Sequence, residues 1–248
     1  MSQDQGSPLQ PGESAPEFTL PAVDRDGTVA LANFRGKHPL LLVLMRGLQC
    51  PFCRRNIVRL GTTRKKLETI GVEILAVVAT TPERARLYLK YRPASVPLAA
   101  DPDMATHRGY GVPCYPVTPD LTQQLGIVRV DPFNELPEPV PIIEANDVFD
   151  RLDGFELTET DRRDRARQFY DSLQLCAQYL VDRDGVVRWR YVEGESGGLE
   201  AAGRFPSDEE VLAAARSFEP AATVMPPIST APAGSRQPRR RWWGLFGR

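Results

Sequence analysis

Residues 39–57 read PLLLVLMRGLQCPFCRRNI. Pro39 to Met45 is an unbroken apolar run. An uninterrupted run of this length suits a strand covered on both faces. A short link, Arg46 to Gln49, then leads into Cys50-Pro51-Phe52-Cys53. From Pro51 the pattern changes period. Cys53, Ile57, Leu60, Leu67 and Ile70 recur on one helical face, which predicts a helix over Pro51 to Ile70. Gly71 is placed to end it. The stretch therefore describes a buried strand that feeds a helix, with two cysteines at the junction.

Working outward, the same alternation continues. Val72 to Ala79 predicts a second buried strand, and Thr81 to Tyr91 a second helix with Thr81 as cap and Pro82 in its first position. Val96 to Ala99 and Asp103 to Tyr110 predict a further strand and a short helix. Upstream, Glu17 to Leu20 and Thr28 to Leu31 form a strand pair turned at Asp24 to Gly27. Strand and helix in alternation imply an α/β core with strands running parallel. Regularity then stops. Pro113 to Pro141 holds seven prolines, so residues 113–154 read as a long Pro-rich loop, within an insertion of about 113–173. Asp161 to Leu173 predicts a charged helix with a solvated face over residues 161–165. Cys176 to Val181 and Val186 to Val192 flank Asp182-Arg183-Asp184-Gly185, a hairpin signal, with Trp189 in the core. Ser207 to Phe218 predicts a last helix, capped by Ser207 with Glu210. One domain over 16–218 is expected, with a flexible N-terminus over 1–15 and a disordered linker and basic tail over 219–248.

Composition narrows the function. Of 248 residues, 42% are hydrophobic and 25% charged, enough to bury a sizeable core. The longest apolar run is far too short to span a bilayer. The net charge is −1, yet Arg236, Arg239, Arg240, Arg241 and Arg248 all follow the last acid, Glu219. Removing those five charges leaves the body at −6, which argues against nucleic acid as a partner. The tail Arg239 to Phe246 mixes arginine with aromatics and suits weak contact with an anionic membrane surface, docking of a partner, or neither. Met1 to Gln10 lacks an apolar stretch, so a cytoplasmic, reducing location is expected. There, paired cysteines serve catalysis or metal binding more often than structural bridging.

Four cysteines are present: Cys50, Cys53, Cys114 and Cys176. Spacing of three puts Cys50 and Cys53 in the first turn of a helix. Free N–H groups and the positive dipole end favour a thiolate at Cys50, and Arg46, Arg54 and Arg55 add positive potential. A thiol pKa below the usual value of about 8.5 is expected. Such a thiolate attacks disulfides and peroxides, and the second cysteine closes the intermediate as a disulfide. Two other readings stand beside this one: a pair of core cysteines, or half of a zinc site completed by Cys114 and Cys176. Cys114 reads as a small loop or core residue, with resolution of a sulfenate as its alternative, and Cys176 reads as a buried strand residue, with a contact beside the motif as its alternative. His107 reads as a capping or surface residue, and Asp101 and Asp103 as helix caps.

GESAPEFTL (12–20), LLLVLMRGLQCPFCRRNI (40–57) and YLVDRDGVVRWRYVE (179–193) resemble the peroxiredoxin-like branch of the alkyl hydroperoxide reductase and thiol-specific antioxidant superfamily. The likeness covers about Gly12 to Val112 and Ala177 to Phe218. It implies a thioredoxin-like fold, with a central mixed β-sheet flanked by helices. It implies redox chemistry at Cys50 and Cys53, supported by Pro51, Arg46 and Arg54, with no cofactor or metal. The substrate would be a hydroperoxide or a disulfide, and the electron donor a thioredoxin- or glutathione-type thiol. The chain departs from the family pattern. With Cys53 as the peroxide-reacting cysteine, Cys50 stands where the family has Thr and Arg46 where it has Pro. Gln174-Leu175-Cys176-Ala177 stands where the family has Arg. Cys50 is the expected nucleophile and Cys53 its partner, with the roles exchanged in the peroxidase version. A scaffold acting through the insertion and tail is the alternative.

Overall fold

A computed structural model describes residues 7–218. The chain opens with a hairpin, β1 (Thr19–Pro21) and β2 (Thr28–Ala30), and then enters the core. There β3 (Leu40–Met45) leads to α1 (Pro51–Glu68), β4 (Glu73–Val78), α2 (Pro82–Tyr91), β5 (Leu98–Ala100) and α3 (Ala105–Gly109). The next segment holds β6 (Cys114–Pro116), α4 (Pro119–Ile127), β7 (Arg129–Val130), β8 (Val140–Pro141), α5 (Ile142–Asp153), α6 (Glu159–Arg165), a π turn (Ala166–Asp171) and β9 (Ser172–Gln174). β10 (Ala177–Val181), β11 (Val187–Val192) and α7 (Asp208–Phe218) close the fold.

The central sheet has the order β11-β10-β3-β4-β5. β3, β4 and β5 run parallel, and β10 is antiparallel to both β3 and β11. The sheet is therefore mixed, as the resemblance implies. All six residues of β3 are buried, as the apolar run predicts. Successive side chains leave a strand on opposite faces. Leu41, Val43 and Met45 pack with α1, while Leu40, Leu42 and Leu44 pack with Phe18, Leu20 and Tyr110 on the other side. Each such side chain contributes roughly 1.5–3 kcal/mol by leaving water. The hairpin signal before β11 is also met. The Asp182 carboxylate accepts from the Asp184 and Val186 N–H groups, both at 2.9 Å, and Gly185 takes φ +82°, which favours glycine.

Three expectations need correction. Residues 7–15 are not a flexible lead. Gly12 and Ala15 donate backbone hydrogen bonds to Val187 and Gly185, and Leu9 donates to Tyr110. These bonds tie the segment along β11, and Ala15 is buried. Residues 113–154 are not a loop. Prolines mark helix starts there: Pro119 takes the first position of α4 behind Thr118, whose hydroxyl accepts the Leu121 N–H, and Pro141 precedes α5. Ile142, Ala145 and Phe149 form the buried face of α5. Phe149 is wedged between Phe52 and Phe133, with ring centroids 5.4 and 5.5 Å away. Finally, residues 161–173 are not one helix. After α6 the backbone widens into the π turn and then extends as β9, drawn out by pairing with β6. The predicted linker and tail, 219–248, lie outside the described residues, as do residues 1–6.

Candidate active site

The strand-to-helix junction is tight. Gly47 lies where a side-chain carbon would clash with the Gln49 side-chain amide and crowd the Ala79 carbonyl at 3.1 Å. Cys50 then takes the capping position of α1, and Pro51 the first helical position. The Cys50 Sγ accepts the Cys53 N–H at 3.4 Å. Both cysteines are buried: Cys50 is 6% exposed and Cys53 0%. Cys50 lines a narrow crevice with Asn146, Arg165, Gln168 and Phe169.

Arg46 lies at the end of β3 and is itself buried. Its Nη2 pairs with Glu193 at 2.8 Å, and its Nη1 donates to the Gln174 carbonyl at 3.0 Å. Glu193 also accepts the N–H groups of Cys176, at 3.0 Å, and Gly203, at 2.8 Å. Sequence reasoning missed Glu193, which follows β11 and so enters the site from the far end of the sheet. Cys176 meets Cys53 with the two sulfurs 3.8 Å apart. It is both buried and beside the motif, so its two readings coincide.

Arg54 and Arg55 do not serve the sulfurs. Arg54 donates to the Leu48 carbonyl at 3.0 Å, pairs with Asp150 at 2.6 Å and stacks 3.8 Å over Phe155. Arg55 pairs with Asp153 at 2.7 Å and with Glu135. Arg165 reaches Asp150 from the other side at 2.6 Å and donates to the Gln49 carbonyl. The expected solvated face over residues 161–165 is thus corrected, because Asp161 and Arg165 are buried and Arg84 pairs with both Asp161 and Asp164. These ions clamp the inserted helices over the first turn of α1.

Burial also reverses the expected thiol acidity. Loss of water pushes the Cys50 thiol well above its ordinary value, and the neighbouring Cys53 thiol adds to the rise. Arg46 and the Cys53 N–H act in the opposite sense but do not prevail. Arg46 already faces Glu193, so little of its charge is left for the sulfurs. Cys53 is pushed up to about 12, first by burial and then by its contact with Cys176. The reduced site therefore holds neutral thiols. Reaction of native Cys50 with iodoacetamide is expected to quicken steadily up to about pH 9, where a free thiol already nears its plateau. Rates followed by mass spectrometry check this, and a plateau near neutrality would refute it.

Other candidates resolve simply. Asp101 caps α3, accepting the Ala105 and Thr106 N–H groups at 3.1 and 2.7 Å. Asp103 offers its backbone carbonyl to Arg108 instead. His107 is not a surface residue; it is fully buried. Trp189 is half-buried against the core. Cys114 is half-buried in β6, paired with Gln174. Among the described residues no group of three or more His, Cys, Asp or Glu side chains is arranged to hold a metal ion. An open cavity of about 650 Å³ adjoins the site, lined mainly by apolar groups such as Phe52, Leu121, Leu125 and Leu175. Arg46 and Phe169 line both this cavity and the Cys50 crevice.

A family model described as the AhpC/TSA family matches residues 11–190, most of the chain. The chain belongs to the AhpC/TSA family. A putative peroxiredoxin of Mycobacterium tuberculosis is 28% identical over 104 residues, which is 42% of this chain and 64% of that protein. The peroxiredoxin Bcp of Escherichia coli is 28% identical over 107 residues, 43% of this chain and 67% of the relative. The match to the mycobacterial relative thus spans less than two thirds of its length. Among solved structures, peroxidoxin BcpB from Mycobacterium tuberculosis superposes with a TM-score of 0.51 at 12% identity, over 85% of this chain and 98% of that one. The reduced 2-Cys peroxiredoxin of Plasmodium vivax gives 0.51 at 18%, over 83% and 94%. These likenesses establish the thioredoxin-like fold for this AhpC/TSA chain.

Proposed function

We propose that this AhpC/TSA chain is a thiol peroxidase that uses Cys50 and Cys53 as its redox pair. The observation that carries the reading is their shared helical turn, with Cys50 as its cap in a crevice that Arg46 also lines. Cys50, giving up its proton as it reacts, attacks one oxygen of a hydroperoxide. The O–O bond breaks, the other oxygen takes up the proton released by Cys50 and leaves as alcohol or water, and Cys50 becomes a sulfenic acid. Cys53 then attacks the Cys50 sulfur and releases water as the disulfide forms. Two electrons and two protons from a thioredoxin- or glutathione-type thiol restore both cysteines, in a reducing compartment such as the cytoplasm. The family register favours Cys53 as first attacker; exposure favours Cys50, because only Cys50 faces the crevice. The apolar cavity beside Arg46 supports an organic hydroperoxide as substrate.

Sulfenic acid trapping tests the assignment. Dimedone added with one equivalent of peroxide is expected to label Cys50 in the Cys53→Ser variant. In the Cys50→Ser variant, Cys53 is expected to label far more slowly. Labelling confined to Cys53 would exchange the two roles. If the unaltered protein consumes peroxide no faster than free cysteine, the peroxidase reading fails.

A further inference from the structure

The two-cysteine cycle leaves one buried nucleophile unused. Cys176 immediately precedes β10, where side chains alternate between the two faces of the sheet. Ala177, Tyr179 and Val181 pack on the face away from α1, whereas Cys176 and Leu180 pack on the α1 face. That parity turns the Cys176 sulfur toward the first turn of α1, where it lies 3.8 Å from Cys53 Sγ. Its backbone is fixed there by the hydrogen bond from its N–H to Glu193, the partner of Arg46. Cys53 thus has a cysteine on either side: Cys50 on its own helix and Cys176 on the sheet. A disulfide needs about 2.05 Å between sulfurs, so closing the second gap takes a shift of roughly 2 Å.

We infer that Cys53 and Cys176 form a second redox pair, so that the oxidised site exchanges between a Cys50–Cys53 and a Cys53–Cys176 disulfide. The inference rests on the redox role proposed above for Cys50 and Cys53. In the exchange the Cys176 sulfur, giving up its proton, attacks Cys53 Sγ of the first disulfide. The Cys53–Cys176 bond forms and the Cys50–Cys53 bond breaks. The electron pair leaves on Cys50, which takes up the proton released by Cys176. No further oxidant is consumed. The oxidised pair moves to two sulfurs that are each 0% exposed, and the thiol that faces the crevice is restored.

Disulfide mapping on the full-length protein tests this. Reduced protein receives one equivalent of hydrogen peroxide, is quenched in acid, alkylated with N-ethylmaleimide and digested with trypsin without reduction. Cleavage after Arg46 and Arg54 leaves Cys50 and Cys53 together on peptide 47–54, and Cys176 on peptide 168–183. Two products are expected: peptide 47–54 two hydrogens lighter, and peptide 47–54 joined to 168–183 with one maleimide on Cys50. In Cys50→Ser, diamide is expected to join Cys53 to Cys176. In Cys176→Ser, only the first product should remain. If the unaltered protein yields the Cys50–Cys53 disulfide alone and diamide leaves Cys53 and Cys176 reduced in Cys50→Ser, the second pair is refuted while the first stands. If the unaltered protein forms no disulfide at all, both readings fall.

Discussion

Replacing Asp150 with alanine is expected to cost this protein about 3–5 kcal/mol of stability. Asp150 is buried and accepts from two guanidinium groups, Arg54 at 2.6 Å and Arg165 at 2.6 Å. Both arginines are almost wholly buried. Without the carboxylate, Arg165 keeps its ion pair with the exposed Asp147 beside its bond to the Gln49 carbonyl, and Arg54 keeps Asp153 at 3.5 Å and the Leu48 carbonyl. The cost arises from stranded charge rather than from lost attraction, so it exceeds that of any exposed ion pair among the described residues. For a domain of this size the melting temperature should fall by roughly 10 °C. Urea unfolding of Asp150→Ala beside the unaltered protein checks the figure. A loss below about 1 kcal/mol would mean that water reaches these guanidinium groups. Asp150→Asn keeps the shape and should lose less.

Acid is expected to weaken the fold through His107. This side chain is fully buried, and neither ring nitrogen has a hydrogen-bond partner among the described residues. Burial lowers its pKa to about 4; the Asp101 carboxylate opposes the drop, while Arg108 and Arg46 add to it. In the unfolded chain the same group titrates near 6.5. Between those values the unfolded state binds the proton and the folded state does not. Stability is thus fully present above about pH 6.5 and declines as pH falls toward 4, by about 3 kcal/mol in all. Unfolding curves at several pH values measure the slope, and His107→Leu should flatten it over that window. An unchanged slope in the variant would assign the acid sensitivity to other groups.

The parts of the fold that sequence could reveal are those with local causes. Leu40 to Met45 is apolar at every position, a run that suits a doubly covered strand. Cys50 and Pro51 carry the chemistry of a helix start, and the start is where they stand. Asp182 and Gly185 make their turn from their own backbone. What stayed hidden depends on partners distant in sequence. Arg165 looks like one charge on a solvated helix because Asp150 and the Gln49 carbonyl reach it from other segments. The seven prolines between 113 and 141 suggest a loop, although the spacing of Ile142, Ala145 and Phe149 already fits a helical face. At Cys50 the helix terminus and Arg46 act with the expected sign. Their effect is outweighed by burial, which no single segment contains.

The separation of Cys53 from Cys176, 123 positions along the chain, gives the choice of disulfide a mechanical consequence. A bond between Cys50 and Cys53 closes a ring of only a few residues and restrains the unfolded chain by about 2 kcal/mol. A bond between Cys53 and Cys176 would enclose β4, β5 and the whole helical insertion, a constraint of about 5 kcal/mol on the same scale. The two oxidised isomers would then differ in resistance to heat and to proteolysis as well as in which thiol is free. On heating, the isomer with the short ring would unfold first and the isomer with the long-range bond last, so the protein would keep a record of oxidation in how firmly it is closed.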